Sequence, residues 1–344
     1  MRDVNIAAQD PPLQQHTWDT RLIGGATGII GANENSLTLD DYLGKDGGPP
    51  RFSCPFIPRD SANTESKAAL PLLIFLPGID GTGINCFNQF PALSDNFDLR
   101  SFSIPVLDRT PFNEVVDIVV GYVDEELKDS PSDRPVYLLG ESFGGILALA
   151  VGIKRPKSVH RLVLVNPATS FPDSIWPNLG PLLTTMPRPL YEQLLPFVVA
   201  PICANPVLLA SAAVDRSAEL PQQALQLQST LIDMLPTLPN LAKILPPETL
   251  AWKLKLLAQA ANEVNPKLNR VMQRVLVVAG CADGLLDSER EASRLRGKLI
   301  RCVSRVRHVA GLPFPTPHPF AFRVTMRRCH PRCHVVAPPA LASV

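Results

Sequence analysis

The sequence predicts an α/β fold: a mostly parallel sheet with helices on both faces, interrupted late in the chain by a helical insertion. Three observations carry this. Short apolar runs bounded by turn residues alternate with amphipathic helical runs, the rhythm of parallel strands joined by crossover helices. The stretch Val136–Gly152, VYLLGESFGGILALAVG, joins one such run to a helix through Gly140-Glu141-Ser142-Phe143-Gly144. Between Phe171 and Pro247 the chain carries 13 of its 36 prolines, so short broken helices replace the strand–helix rhythm there.

A chain of 344 residues with 45% hydrophobic and 19% charged side chains accommodates one large domain with an insertion, or two smaller domains. The net charge of +1 argues against a nucleic-acid partner. That average hides an asymmetry: residues 301–344 hold seven Arg and no acid, whereas the preceding residues hold 26 basic against 32 acidic side chains. The seven cysteines are scattered and odd in number, which implies no disulfide framework and suits a reducing compartment. No apolar run approaches the roughly 18 residues of a membrane span. The first residues lack a signal-peptide core, and Asp3, Asp10 and Asp19 do not suit a transit peptide, so no targeting segment is expected in this chain.

In order along the chain, residues 1–69 read as irregular. Gly24-Gly25-Ala26-Thr27-Gly28 has neither a preceding strand nor a Gly-Lys-Ser/Thr and reads as a flexible loop. Leu70–Leu76 is an apolar strand running into Pro77-Gly78-Ile79-Asp80-Gly81-Thr82-Gly83. Leu99–Ile104 is a second strand. Thr110 then has N-cap chemistry with Pro111 at the first helical position, and Asn113–Lys128 has the helical period with Val115, Val116, Val119 and Tyr122 or Val123 inward. Val136–Leu139 is too short for a helix and reads as a buried strand, Ser142–Lys154 as a helix, and Leu162–Val165 as a strand ending in Asn166-Pro167. In the insertion, Leu220, Ala224, Leu227, Leu231 and Leu235 share one helical face, and Leu250, Leu254, Leu257 and Ala261 another; each stripe is either core or the lining of an acyl-chain pocket. Val275–Ala279 returns to strand, and Ser288-Glu289-Arg290-Glu291 has the form of a capping box opening a helix that stops near Gly297.

Strand, G-x-S-x-G and helix in succession form the nucleophile elbow of an α/β-hydrolase. Gly140 and Gly144 allow a turn tight enough to expose Ser142 at the strand end. The N–H of Phe143, at a helix N-terminus, then faces a forming oxyanion. The plainer alternative is a glycine-rich turn whose serine caps the helix. In this architecture the loop after the strand ending at Leu76 supplies the second oxyanion N–H, with Ile79 the first candidate and Asp80 the second. Asp283 lies just past a strand, where the acid of a Ser…Asp…His order belongs; its alternative is a turn residue beside Gly284. The expected organisation is an irregular segment 1–69, a hydrolase domain 70–301 with a helical lid over 171–266, and a divergent tail 302–344.

The pieces GGPPRF (47–52), LPGIDGTG (76–83), IPVLDRTPF (104–112), GESFGG (140–145), NPATSFP (166–172), ILPPETLAWKLKLL (244–257) and VLVVAGCADGLLDSEREASRLRGKL (275–299) resemble the plant plastid esterase/lipase/thioesterase family that includes phytyl ester synthases. The resemblance implies serine-dependent acyl transfer from a lipid acyl donor to an alcohol such as phytol or diacylglycerol, or to water. It also implies a chloroplast location and allows contact with a lipid surface; no cofactor or metal is expected. The family's second half is an acyltransferase domain with a His-x4-Asp motif, which this sequence lacks. After the RLRG helix the family has a strand, Gly-His and a final helix. Here the text turns Pro-, Arg- and His-rich, with four of the six histidines and no acid. This shift near Cys302 reads as an altered reading frame or alternative exon, so the last strand and helix are expected to be missing or altered and 302–344 to lack regular structure. His308, six residues past Cys302, is the nearest triad candidate, and His318 is sixteen past; the family spacing lies between. Neither is expected to be held against Ser142, so the rival to an enzyme is an impaired scaffold that binds lipid or a partner. Cys329-His330 and Cys333-His334 have no partner cluster to complete a zinc tetrahedron, and no metal is assigned there.

Overall fold

The computed structural model describes residues 17–18, 36–37, 47–54, 70–83, 86, 89–128, 130, 134–203, 214, 218–234, 243–283 and 285–310. Among these, seven strands form one sheet: β1 (Arg51–Ser53), β2 (Leu72–Leu76), β3 (Asp98–Ser103), β4 (Val136–Glu141), β5 (Val159–Val165), β6 (Arg274–Ala282) and β7 (Cys302–Ala310). Their spatial order is β1-β3-β2-β4-β5-β6-β7, with β1 antiparallel to β3 and every other pair parallel. The described helices are α1 (Phe90–Ser94), α2 (Phe112–Lys128), α3 (Phe143–Lys154), α4 (Trp176–Thr184), α5 (Arg188–Cys203), α6 (Leu220–Met234), α7 (Pro247–Val264) and α8 (Ser288–Lys298). This is the predicted α/β architecture, with helices α4 to α7 between β5 and β6.

Strand β2 shows why its sequence is apolar throughout. Leu72, Ile74 and Leu76 pack with the valines of α2 and the apolar residues of α3, while Leu73 and Phe75 pack on the opposite face with Phe90 and Leu93 of α1. A strand covered on both faces needs no polar alternation. On α2, the expected Val115, Val116, Val119 and Val123 are buried, together with Phe112 and Val120. Thr110 does not cap this helix. Its N–H and hydroxyl both donate to Asp108, at 3.0 and 2.8 Å, so the carboxylate organises the turn before α2.

Two further details depart from the sequence reading. The cap of α8 is Asp287, which accepts the Arg290 N–H at 3.0 Å, rather than Ser288. Glu291 turns inward instead of closing a capping box, accepting from the Thr169 hydroxyl and from Arg294 at 2.7 Å. The α7 stripe is core, with Leu250, Leu257 and Ala261 buried. The α6 stripe is not, as far as it is described: Leu220 is 79% exposed and Ala224 is exposed; Leu235 lies outside the described residues.

The tail requires a correction. Cys302–Ala310 forms β7, which pairs with β6 from Val275↔Cys302 to Ala282↔Ala310, so the last strand is present and regular structure does not end at Cys302. Val303, Val306 and Val309 favour extended backbone, and half-buried Cys302 and Ser304 alternate with exposed Val303 and Arg305. The segment 1–69, expected to be irregular, also needs correcting: Arg51–Ser53 joins the main sheet as β1, and Thr17–Trp18 pairs parallel with Ser36–Leu37. Most of its other residues, and the place of the final helix expected to be missing or altered, lie outside the described residues.

Candidate active site

β4 ends at Glu141 and α3 begins at Phe143, leaving Ser142 alone at the turn, half-buried. Its backbone has φ 51° and ψ −110°, a region that costs a non-glycine residue about 1–3 kcal/mol. Three hydrogen bonds hold it there: the Ser142 N–H donates to the Val165 carbonyl at 2.9 Å, and the Ser142 carbonyl accepts from Gly145 at 3.0 Å and Ala168 at 3.1 Å. The side chain caps no helical N–H, so a helix-capping serine is not what this turn builds. A Cβ on Gly140 would overlap the Gly144 carbonyl, and one on Gly144 would overlap the Leu76 carbonyl. Glycine at both positions lets β2 and the elbow approach more closely than any side chain permits.

That approach brings the loop after β2 to the serine. A Cβ built on Gly78 would stand 3.7 Å from the Ser142 Cβ. Gly78-Ile79-Asp80-Gly81 is a turn closed by the Gly81 N–H donating to the Gly78 carbonyl at 3.0 Å. The N–H groups of Phe143, Ile79 and Asp80 donate to no protein acceptor among the described residues. Two of the expected oxyanion elements, the first turn of α3 and the Gly78–Gly81 turn, therefore flank Ser142 with unused donors.

Asp283 follows β6 directly, at the same sheet edge and two strands from Ser142, about 10 Å at ordinary strand spacing. Its carboxylate accepts the N–H groups of Leu285 at 3.0 Å and Leu286 at 3.2 Å, and the Ser288 hydroxyl. These are the contacts of a turn residue; since each carboxylate oxygen has two acceptor sites, they leave capacity for an imidazole N–H. Two residues that sequence reasoning passed over reinforce this loop. Asn166, at φ 43°, accepts the Gly280 N–H through Oδ1 at 2.8 Å. Trp176 Nε1 donates to the Leu285 carbonyl at 2.8 Å, fastening α4 to the acid loop. The available signal for Asn166 was its type, since Asn tolerates positive φ at strand ends; Trp176 offered none.

The histidines are placed less favourably. His160 is the second residue of β5, and its Nδ1 accepts the Val136 N–H at 3.1 Å. It stands five residues from the Val165 end, about 16 Å along a strand, at the edge opposite Ser142. His308 lies in β7 where the pairing with β6 shifts register, between the pairs Gly280↔Arg307 and Ala282↔Ala310. Its backbone is three strands from that of Ser142, about 14 Å. His318 and the Cys329–His334 cluster lie outside the described residues.

A parallel sheet with a glycine-flanked serine turn after one strand and an aspartate two strands away defines a class of protein, and residues 73–323 match the Alpha/beta hydrolase family, to which the chain belongs. Within it, the chain is 39% identical to phytyl ester synthase 1, chloroplastic, of Arabidopsis thaliana over 266 residues, covering 77% of this chain and 37% of that protein. It is 32% identical to phytyl ester synthase 2, chloroplastic, of the same plant over 271 residues, covering 77% of this chain and 38% of that protein. The chain thus spans under two fifths of the length of these relatives. Among solved structures, MenH from S. aureus has a TM-score of 0.49 at 16% identity, covering 76% of this chain and 90% of that one.

Proposed function

We propose that the chain carries out serine-dependent acyl transfer on lipid esters. The observation that carries the proposal is the Ser142 backbone at φ 51° and ψ −110°, between unused N–H donors on two separate elements. In this reading Ser142 Oγ attacks the ester carbonyl carbon as its proton passes to a histidine, and the carbonyl oxygen becomes an oxyanion held by Phe143 and Ile79. Collapse expels the alcohol with the transferred proton and leaves an acyl-serine, which water or a second alcohol cleaves. Asp283 orients the histidine. Because the His308 backbone stands about 14 Å from that of Ser142, the histidine is assigned to the residues after Ala310, where His318 is the first. The α4–α7 insertion serves as the lid, supported by the Trp176 contact and by the exposure of Ile175, Leu182, Leu190, Leu220 and Leu225, which suits a lipid surface. The likeness to two Arabidopsis proteins named as chloroplastic phytyl ester synthases supports phytol as an acceptor and a chloroplast location. Among the described residues no helix is long and apolar enough to cross a membrane.

The test is release of p-nitrophenol from p-nitrophenyl octanoate, with and without phytol as acceptor. Ser142→Ala is expected to lower turnover by about three orders of magnitude or more with the fold retained; a variant keeping about a tenth of the rate overturns the assignment. A second reading, a hydrolase-fold scaffold without a working base, is favoured by the position of His308 and predicts negligible turnover in the parent chain.

A further inference from the structure

We infer that Lys253, on α7, is a positioning residue for acyl transfer: its ammonium pins the Gly78–Gly81 turn and so holds the Ile79 N–H where the oxyanion forms. The inference rests on the acyl-transfer reading of Ser142.

Lys253 is 4% exposed, and its Nζ donates to the Asp80 carbonyl at 2.9 Å. That carbonyl belongs to the Asp80–Gly81 peptide, the last of the turn. Gly81, at φ 78°, closes the turn through its N–H, and its own carbonyl accepts the Ile104 N–H at 2.9 Å. A Cβ on Gly81 would come within 3.0 Å of the Lys253 Nζ. One end of the turn is therefore fixed against Ser142 and the other against β3 and α7. The two peptides between them carry the N–H groups of Ile79 and Asp80. The Gly81 N–H holds the Asp80–Gly81 peptide from one side and the ammonium holds its carbonyl from the other, so rotation of this peptide, which would carry the two donors with it, is opposed at both of its polar atoms.

Packing alone gives no reason for a charge at this position. Its helix neighbours Leu250, Leu256 and Leu257 are buried, so an apolar side chain at 253 would suit the same face, and burying an ammonium there is costly. The charged groups facing it are Asp80 from the turn and Asp108 and Arg109 from the loop after β3. Asp108 is engaged by Thr110, and Arg109 by Thr249 and the Val106 and Asp108 carbonyls. Burial pushes the Lys253 ammonium down to about 8, with Arg109 adding to that and Asp80 and Asp108 opposing it.

The test uses octylboronic acid, to whose boron Ser142 Oγ adds, releasing the serine proton to solvent and forming a tetrahedral boronate whose oxygen occupies the oxyanion position. Lys253→Met is expected to weaken boronate binding about tenfold or more at pH 7, while binding of octan-1-ol, which has no oxyanion, stays within about twofold. Lys253→Gln replaces it if the Met variant does not fold. Leu256→Ala, which loosens the buried apolar face of α7 without removing a polar partner of the turn or of the charges around Lys253, is expected to leave boronate affinity unchanged. Unchanged boronate affinity in the Lys253 variant, an equal loss for octanol, or an equal loss in Leu256→Ala overturns the positioning role and leaves Ser142 in place. A parent chain that does not bind the boronate, or one in which Ser142→Ala binds it equally, overturns the acyl-transfer reading and this inference with it.

Discussion

Asn166 accepts the backbone N–H of Gly280 through its side-chain oxygen at 2.8 Å while its own N–H donates to the Val278 carbonyl at 2.9 Å. The residue before it, Val165, receives the Ser142 N–H. Two adjacent residues at the end of β5 thus fix both the serine turn after β4 and the end of β6 from which Asp283 departs. The spacing of the proposed nucleophile and acid is set by β5, not by a direct contact between them.

Replacing Asn166 separates its two contributions. Asn166→Gly accommodates φ 43° but loses the bond to Gly280; it is expected to cost about 1–2 kcal/mol, an unsatisfied partly buried N–H being left behind. Asn166→Ala loses the bond and also strains the backbone, adding about 1 kcal/mol. Urea unfolding of the three proteins measures this, and equal stability of the Gly and Ala variants would show that the positive φ carries no cost.

The parts legible in the sequence were those where local chemistry and global position coincide. The LLIFL run of β2 is apolar because both of its faces are covered, and the glycines around Ser142 are required by carbonyls that no side chain could approach. Contacts between distant segments were not legible. Lys253 sits in a helical stripe and looks like its exposed neighbour Lys255; only the fold brings it to Asp80, 173 residues away. Glu291 looked like half of a capping box, but Thr169, 122 residues away, offers a partner inside the protein. β7 was missed because the composition of the whole tail concealed nine residues rich in valine.

Asp98 supports a pH prediction. Burial alone would raise its carboxyl, but hydrogen bonds and charge from Arg100 and Arg134 outweigh that and hold it below the ordinary carboxylate value. Its contribution is therefore complete above the unfolded value of about 3.9 and is lost as pH falls through the lower folded value. Asp98→Asn is expected to cost about 3 kcal/mol at pH 7, since it leaves Arg134 buried with its nearest carboxylate gone; Glu126, 3.9 Å from Arg134 and 3.1 Å from Arg100, keeps the loss from being larger. The stability difference between parent and variant should shrink below about pH 4. Urea midpoints at pH 7 and 3 test this, and a difference that is the same at both would remove Asp98 from the acid response.

The tail yields the most decisive prediction, because its residues Cys302–Ala310 form β7. β7 completes the sheet beside β6, whose Val275, Val277 and Ala279 are buried. A chain ending at Arg301 would leave the β6 ladder groups unpaired along an apolar edge and is expected to aggregate or to lose about 3 kcal/mol or more. A chain ending at Ala310 retains every described strand and is expected to avoid that loss of the β6 edge. The two truncations also bear on catalysis, since the second keeps His308 and removes His318. His318 lies eight residues past Ala310, a length that can span up to about 26 Å, more than the about 14 Å between the backbones of β7 and Ser142, so His318 has the reach for the proposed role. His308→Ala is expected to keep ester turnover within about threefold, while His318→Ala and the Ala310 truncation lower it by about three orders of magnitude or more. A loss confined to His308→Ala would place the base in β7 and overturn the assignment, whereas one slow rate shared by the parent and all three variants would mean that Ser142 has no histidine base and that the scaffold reading is correct.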